Sequence, residues 1–173
     1  MLTLEEGVPG ALIDGIAVDF GMPMGPIELA DVVGLDVAEH VGAIIAQESG
    51  RAAPALPTLA KHLAAKELGR KTGRGFYEWR NGKAVKPDPG RARTPDDLAD
   101  RLILALVNES VAVLREGTVE DADLLDAGVM FGMGFAPFRG GPIAYAKQRG
   151  PREIVRRLEE LAARHGSRFA PDA

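Results

Sequence analysis

The sequence predicts an all-α protein made of two related helical units with a small β-hairpin between them. Three observations predict this fold. Apolar residues recur at helical spacing along most of the chain, one short segment breaks that pattern around an Asn-Gly pair, and similar short features recur in order on both sides of a proline-rich linker. The 173 residues, 46% of them hydrophobic and none of them cysteine, can bury a core without disulfides.

The helices are predicted from apolar spacing and from end signals. The clearest follows Thr94 and Pro95, which offer an N-cap hydroxyl and a proline at the first helical position, and stops at Gly117. Further helices are predicted over residues 9–20, 26–33, 36–48, 58–68, 121–131, 142–148 and 151–165. In the helix 36–48 we expect one apolar face to point into the core, formed by Val37, Val41, Ile44 and Ile45.

One hairpin separates the two groups of helices. Residues 76–80 and 83–85 flank the pair Asn81-Gly82, and such a pair between aromatic and β-branched runs is a strong signal for a two-residue turn. The proline-rich stretch that follows is typical of a linker. The predicted organisation is therefore a first unit over 1–86, a linker over 87–94 and a second unit over 95–173.

The two predicted units share short features in one order, which indicates an internal repeat. The matching features are Leu4-Glu5-Glu6-Gly7 with Leu114-Arg115-Glu116-Gly117, Asp14 with Asp126, Phe20-Gly21-Met22 with Phe131-Gly132-Met133, and Gly25-Pro26 with Gly141-Pro142. In each copy a predicted helix then begins at that proline, which makes five features in the same order. Chance is the alternative, because Gly, Leu and Glu are common residues, but five features in one order favour duplication.

The two copies are unequal at their start. Residues 97–110, the first part of the long helix of the second copy, have no counterpart before Met1, so we expect the first copy to lack most of its leading helix. A shortened fragment, a misplaced start codon and a gene that begins in mid-domain all fit this pattern. A groove lined by Leu12, Ile13 and Ile16 would then be open, and we expect a homo-oligomer to cover it.

The residues themselves contain no catalytic constellation. No G-x-G-x-x-G follows a predicted strand, and the three histidines, His40, His62 and His165, lack metal-ligand spacing. A net charge of −4 with no basic stripe makes nucleic acid an unexpected partner, and no apolar run is long enough to span a membrane. We therefore expect no catalytic, cofactor-binding or metal-binding residue, and a cytoplasmic location.

Two proline-glycine loops are the remaining candidates for function. The first is formed by Met22, Pro23, Met24, Gly25 and Pro26, and the second by residues 135–142. Each is either a tight turn packed on the core or one wall of an apolar acyl-binding cleft, in which methionine adapts to chains of different shape. The stretch 69–75 carries three cations among glycines, and it is either a solvated turn or a contact for a phosphate.

The first loop and its surroundings carry a resemblance to a known family. Residues 20–36 and 68–77 resemble the C-terminal domain of 3-hydroxyacyl-CoA dehydrogenases, which is similar in fold to the C-terminal domain of 6-phosphogluconate dehydrogenase. Residues 108–110 and 132–142 resemble the second, degenerate copy of that domain in the α-subunit of bacterial fatty-acid oxidation complexes. The resemblance covers nearly the whole chain.

The resemblance implies NAD-dependent oxidation of L-3-hydroxyacyl-CoA in β-oxidation, with a His–Glu pair as general base. In the family that pair and the NAD-binding fold belong to an N-terminal domain, and an Asn-Arg pair lies on the leading helix of the helical domain. Here Asp100-Arg101 stands at the corresponding point of the second copy, which departs from the family and implies a structural role. The resemblance thus transfers no catalytic residue and no NAD site to this chain, only a cleft wall at residues 22–26.

Three functions remain open. The chain is the C-terminal helical part of such a dehydrogenase, inactive alone and contributing subunit packing and part of the acyl-CoA cleft. Alternatively, it is a non-catalytic module that docks on a separately encoded dehydrogenase or thiolase subunit. In the third case it only binds acyl-CoA.

Overall fold

The computed structural model describes residues 1–48 and 53–172, which form helices joined by tight turns and one antiparallel two-stranded sheet. The helices are α1 (Leu2–Glu5), α2 (Gly10–Phe20), α3 (Pro26–Val33), α4 (Leu35–Glu48), α5 (Pro57–Ala64), α6 (Leu98–Arg115), α7 (Ala122–Met133), α8 (Pro142–Arg149) and α9 (Pro151–His165). The strands are β1 (Glu78–Arg80) and β2 (Lys83–Val85). The predicted helical fold with one small hairpin is confirmed.

The chain divides into two compact units. Unit 1 comprises Met1–Ile16 and Met24–Thr94, and unit 2 comprises Ala17–Pro23 and Pro95–Ala173. Unit 1 therefore holds α1, the first part of α2, α3 to α5 and the hairpin, whereas unit 2 holds the end of α2, the loop after it and α6 to α9.

Proline and glycine mark the ends of most helices. Helix α3 starts at Pro26, as predicted, because a proline at the first helical position costs no hydrogen bond. Helix α5 ends at Ala64, four residues earlier than predicted. The chain turns there: Lys66 has φ +56°, and the amide of Glu67 donates to the carbonyl of His62. Apolar spacing alone did not reveal this stop.

The hairpin has the register that its turn requires. Glu78 is opposite Val85, and Arg80 is opposite Lys83, so Asn81 and Gly82 form a two-residue loop. Their φ angles are +51° and +75°, the left-handed values that Asn and Gly tolerate best.

The core of unit 2 lies between α6 and α9. Its buried side chains are Ile103, Leu104 and Val107 from α6, Ile154, Leu158 and Leu161 from α9, and Phe169. Two acids of α9 form ion pairs: Glu153 pairs with Arg149, and Glu160 pairs with Arg156 and Arg157.

The predicted inward face of α4 is wrong. Val37, Val41, Ile44 and Ile45 are between 41% and 61% exposed, so no described residue covers them. The helix buries Leu35 instead, and it turns Ala38 and Gly42 toward Leu59 of α5 around a cavity. Periodicity identifies an apolar face on a helix but does not show what covers it.

The predicted open groove on α2 is wrong as well. Ile13 is completely buried, and Leu12 and Ile16 are half-buried. The exposed apolar surface of unit 1 lies instead on α3 and α4, where Leu29 and Val33 are 45% and 49% exposed.

Candidate functional site

The buried polar atoms of unit 1 meet at Asp14 of α2. Its carboxylate is completely buried and accepts hydrogen bonds from the amides of Ile27 (2.8 Å) and Glu28 (3.1 Å) in the first turn of α3. The hydroxyl of Tyr77 donates to it at 2.8 Å, and Lys86 Nζ lies 3.4 Å away. Asp14 therefore caps α3 from a distance in sequence and anchors the segment that carries the hairpin.

A second buried carboxylate, Asp31 of α3, holds the start of the hairpin. It is completely buried and accepts from the amides of Phe76 and Tyr77, each at 2.9 Å. The indole of Trp79 donates to it at 3.0 Å. The partners of Asp31 lie more than forty positions away in the sequence, a separation that periodicity cannot reveal.

Unit 2 repeats the arrangement around Asp14. Asp126 of α7 is buried and accepts from the amides of Ile143 (2.7 Å) and Ala144 (2.9 Å) in the first turn of α8. Gly141 lies against Asp126 just before α8. In each unit, a carboxylate on one helix thus caps the next proline-initiated helix, at a glycine that leaves no space for a side chain.

The proton positions in unit 1 follow from burial and charge. Burial, together with the hydrogen bond to Asp14, raises the pKa of Tyr77, so its hydroxyl remains a donor. Burial alone would lower the pKa of Lys86, but the ion pair with Glu28, at 2.6 Å, and the charge of Asp14 hold it above its usual value. Tyr77 and Lys86 thus each donate to a carboxylate, and these contacts stabilise the fold of unit 1 without indicating a proton-transfer role.

We expect Tyr77→Phe to lower the free energy of unfolding of unit 1 by about 1.5–3 kcal/mol, because a hydrogen bond to a buried carboxylate is lost without a replacement donor. Urea titration followed by fluorescence measures this, since Trp79 is the single tryptophan and lies in unit 1. Tyr145→Phe in unit 2 is the control and should leave this transition unchanged. An unchanged midpoint for Tyr77→Phe would contradict the assignment.

Asp100 of α6 is part of an ion-pair cluster in unit 2. Its two oxygens accept from Arg149 (2.6 Å) and Arg157 (2.7 Å), which joins α6 to α8 and α9. Burial opposes the charged form, but the two guanidinium groups hold the pKa of Asp100 below its ordinary value of 3.8. The predicted structural role of this position agrees with these contacts.

The contribution of Asp100 to the free energy of unfolding should depend on pH. Because its pKa is lower in the folded state, the contribution is complete above pH 3.8 and is lost as the pH falls through the folded-state pKa. We expect Asp100→Asn to cost about 1–2 kcal/mol at pH 7 and less at pH 3. Urea unfolding followed by circular dichroism at both pH values tests this, with Glu159→Gln on the exposed face of α9 as control. An equal cost at both values would contradict it.

The five predicted cleft-wall residues have different surroundings. Met22 is half-buried against the core of unit 2, and Pro23 is exposed beside Gly134. In unit 1, Met24 is half-buried, Gly25 is buried against Asp14, and Pro26 is exposed at the start of α3. The side chains that keep solvent contact are therefore those of Pro23, Met24 and Pro26.

A cavity that the sequence did not predict lies elsewhere in unit 1. It has a volume of about 490 Å³, and its lining from α4 and α5 includes Ala38, Gly42, Leu59 and Leu63. Glu39 also lines it. None of the residues 22–26 lines it, so cavity and predicted cleft wall are separate features.

The described residues do not fit NAD or a metal. A dinucleotide fold needs a parallel βαβ unit, whereas the sheet found in residues 1–48 and 53–172 is one antiparallel hairpin. Within the same ranges no three His, Cys, Asp or Glu side chains converge as metal ligands. His62 and His165 each contact a carboxylate, Glu67 at 2.7 Å and Asp97 at 3.0 Å.

No helix in residues 1–48 and 53–172 is long and apolar enough to cross a bilayer.

Comparison with solved structures shows the fold. The chain superposes on a 3-hydroxybutyryl-CoA dehydrogenase from Escherichia coli with a TM-score of 0.78 and 20% identity, covering 98% of this chain and 54% of that one. The dehydrogenase part of multifunctional enzyme 1 from Caenorhabditis elegans gives a TM-score of 0.67 and 24% identity, over 94% and 40% of the two chains.

Comparison of sequences identifies the proteins to which this chain is similar. Fatty acid oxidation complex α-subunits from Vibrio campbellii and Idiomarina loihiensis are each 36% identical, over 92% and 97% of this chain. The chain spans about a quarter of the length of these curated relatives, 24% and 25%. Residues 1–79 match the family model of the 3-hydroxyacyl-CoA dehydrogenase C-terminal domain, a little less than half of the chain.

Proposed function

We propose that the chain is the C-terminal helical part of an NAD-dependent L-3-hydroxyacyl-CoA dehydrogenase of β-oxidation. In this role it supplies packing surfaces and one wall of the acyl-CoA cleft, and it is inactive alone. The observation that carries the proposal is the similarity of almost the whole chain to one quarter of the α-subunits of fatty acid oxidation complexes. The buried carboxylates Asp14, Asp31 and Asp126 support it, because their hydrogen bonds are used to hold helices and the hairpin.

The proposal includes two copies of one helical unit, with the second copy degenerate. The geometry that supports duplication is the matching pair of carboxylate caps, Asp14 over α3 and Asp126 over α8. Each lies against the glycine that precedes the capped helix, Gly25 or Gly141. The hairpin on Asp31 belongs to the first copy alone, because Lys147 stands at the equivalent position of α8.

A chimera tests the proposed role. The matching quarter of the Vibrio campbellii α-subunit is replaced by this chain, and NADH formation from 3-hydroxyacyl-CoA is measured for the chimera and for that α-subunit without the quarter. We expect activity in the chimera and none in the shortened subunit. A soluble, folded chimera without dehydrogenase activity would count against the proposal. Full activity of the shortened subunit would favour the docking-module alternative.

The cleft wall makes a finer prediction in the same chimera. We expect Met24→Ala to raise KM for a long-chain substrate by about threefold and to leave kcat and short-chain turnover unchanged, because a flexible apolar contact along the acyl chain is lost. Met133→Ala removes a methionine that is 62% exposed on α7 and serves as control. Equal effects on short and long chains would contradict a role for Met24 in the wall.

A further inference from the structure

Helix α7 of unit 2 has an exposed apolar face. On it Leu124 is 54% exposed and Phe131 is 89% exposed. Gly128 and Gly132 lie on the same face, because the four positions are spaced i, i+4, i+7 and i+8. A Cβ added at either glycine meets nothing within 4 Å, so open space lies over both. We call Leu124, Gly128, Phe131 and Gly132 the outer face of α7.

A solvated helix face in the same unit has a different composition. The exposed side of α9 carries charged side chains, among them Arg152, Arg156 and Glu159. Helix α7 contains no Lys or Arg, and its acids are Asp123 in the first turn and the buried Asp126. The outer face of α7 thus lacks the charged side chains that keep a surface helix in water, and exposed apolar patches of this kind mark sites of association.

The outer face of α7 is complementary to itself about Gly128. Leu124 and Gly132 lie four residues before and four residues after it. Two α7 helices that cross antiparallel at Gly128 therefore place the leucine of each copy over the open space at Gly132 of the other. A glycine at the crossing lets the backbones approach closely, because side chains set the distance between packed helices. A large side chain at one end and a space at the other are what a two-fold interface requires.

Charge favours the antiparallel arrangement. Helix α7 begins beside three acids, Glu120, Asp121 and Asp123, whereas Arg139 lies in the loop that follows its C-terminal end. The guanidinium of Arg139 stacks on the ring of Phe20 at 4.1 Å, and its Nε donates to the carbonyl of Phe20. Within residues 1–48 and 53–172 no carboxylate pairs with it. An antiparallel crossing brings the acidic start of each helix to the end of the other that leads into this loop.

We propose that the chain forms a two-fold dimer through the outer face of α7, with the two helices antiparallel and Gly128 at the crossing. The occupant of this face is a second copy of the same chain. The groove on α2, from which the sequence predicted an oligomer, is closed in the structure, so the contact on α7 is a different one. One helix face buries less than the about 800 Å² per partner of a standard interface, so the dimer is weak and reversible.

Sedimentation equilibrium of the full chain measures this association. We expect an average mass that rises with concentration from that of one chain toward that of two, with a Kd of about 10–100 μM. Phe131 and Leu124 of each copy supply most of the apolar area that the dimer buries, so the affinity depends on these two side chains.

Matched variants in the last turn of α7 locate the contact. Phe131→Glu should weaken the dimer at least about tenfold, because it puts a charge into the apolar contact. Met133→Glu is the control and should leave Kd within about twofold. Met133 is 62% exposed, but its position nine residues after Leu124 is half a turn away around the helix. Both variants replace exposed side chains, so the fold should persist.

Cysteine cross-linking tests the antiparallel arrangement, since the chain has no cysteine of its own. Gly128→Cys should form a disulfide-linked dimer on oxidation with copper phenanthroline, because the two-fold crossing brings the two thiols together. Leu124→Cys should cross-link slowly alone and at least about tenfold faster when it is mixed with Gly132→Cys. Met133→Cys measures the rate of cross-linking by random collision.

Three results would overturn the proposal. These are a chain that stays monomeric at about 1 mM, a dimer whose Kd is unchanged by Phe131→Glu, and cross-linking of Leu124→Cys with itself as fast as that of Gly128→Cys. The second result would place the contact on another surface, and the third would show a parallel pair of helices. None of them bears on the dehydrogenase role, which the chimera tests separately.

Discussion

Replacing Gly25 by alanine is expected to lower the free energy of unfolding of unit 1 by at least about 3 kcal/mol. The added Cβ would overlap the Cα and Cβ atoms of Asp14, so backbone must move and not a flexible side-chain end. Movement would also lengthen the hydrogen bonds from Ile27 and Glu28 to Asp14, which cap α3. The φ of Gly25 is −82°, so the effect is purely steric.

Urea unfolding followed by Trp79 fluorescence measures the effect in unit 1. Gly15→Ala is the matched control, since Gly15 lies in α2 next to Asp14 and an added Cβ meets nothing within 4 Å. That substitution should stabilise the chain by about 0.5–1 kcal/mol, because alanine is the better helix former. If Gly25→Ala and Gly15→Ala change the free energy of unfolding by the same amount, the close approach of Gly25 to Asp14 is not a feature of the folded protein.

Asp31→Ala is expected to lower the free energy of unfolding of unit 1 by a comparable amount, about 3–5 kcal/mol. It removes the acceptor for two backbone amides and one indole N–H, and each buried unpaired donor costs about 1–3 kcal/mol. The hairpin is attached to α3 through these bonds, so its amides should lose protection from hydrogen exchange before the rest of unit 1.

Asp31→Asn separates charge from shape. The amide keeps one acceptor oxygen but turns an NH₂ group toward a donor. The free energy of unfolding of Asp31→Asn should therefore lie between those of the unchanged chain and of Asp31→Ala. Asp36→Ala is the control, because Asp36 forms an exposed ion pair with Lys71 and solvent screens such a pair. A hairpin that stays protected in Asp31→Ala, with an unchanged unfolding midpoint, would show that these hydrogen bonds do not hold it.

Local signals explain which parts of the fold could be predicted. Pro26 starts α3 and Asn81-Gly82 forms the hairpin turn as expected, because each is determined by backbone preferences of adjacent residues. The repeat placed Asp14 and Asp126 at equivalent positions, and both have the same capping role.

Features that depend on distant residues could not be predicted. The partners of Asp31 lie in the hairpin, and the exposure of Val41 and Ile45 depends on whether another helix covers α4. Periodicity marks such side chains as apolar but cannot state their neighbours. For the predicted wall at residues 22–26, the methionines and the family resemblance were the signals for substrate contact, but turn chemistry explains the same residues.

The proposed function is tested most directly by an assay of the purified chain with NAD and 3-hydroxybutyryl-CoA. In the proposed role this chain supplies helical packing and a cleft wall, and the hydride-transfer chemistry belongs to residues outside it. We therefore expect no NADH formation above that of a matched preparation of Asp31→Ala. NADH formation that increases in proportion to the chain and is lost in that destabilised variant would contradict the proposed function.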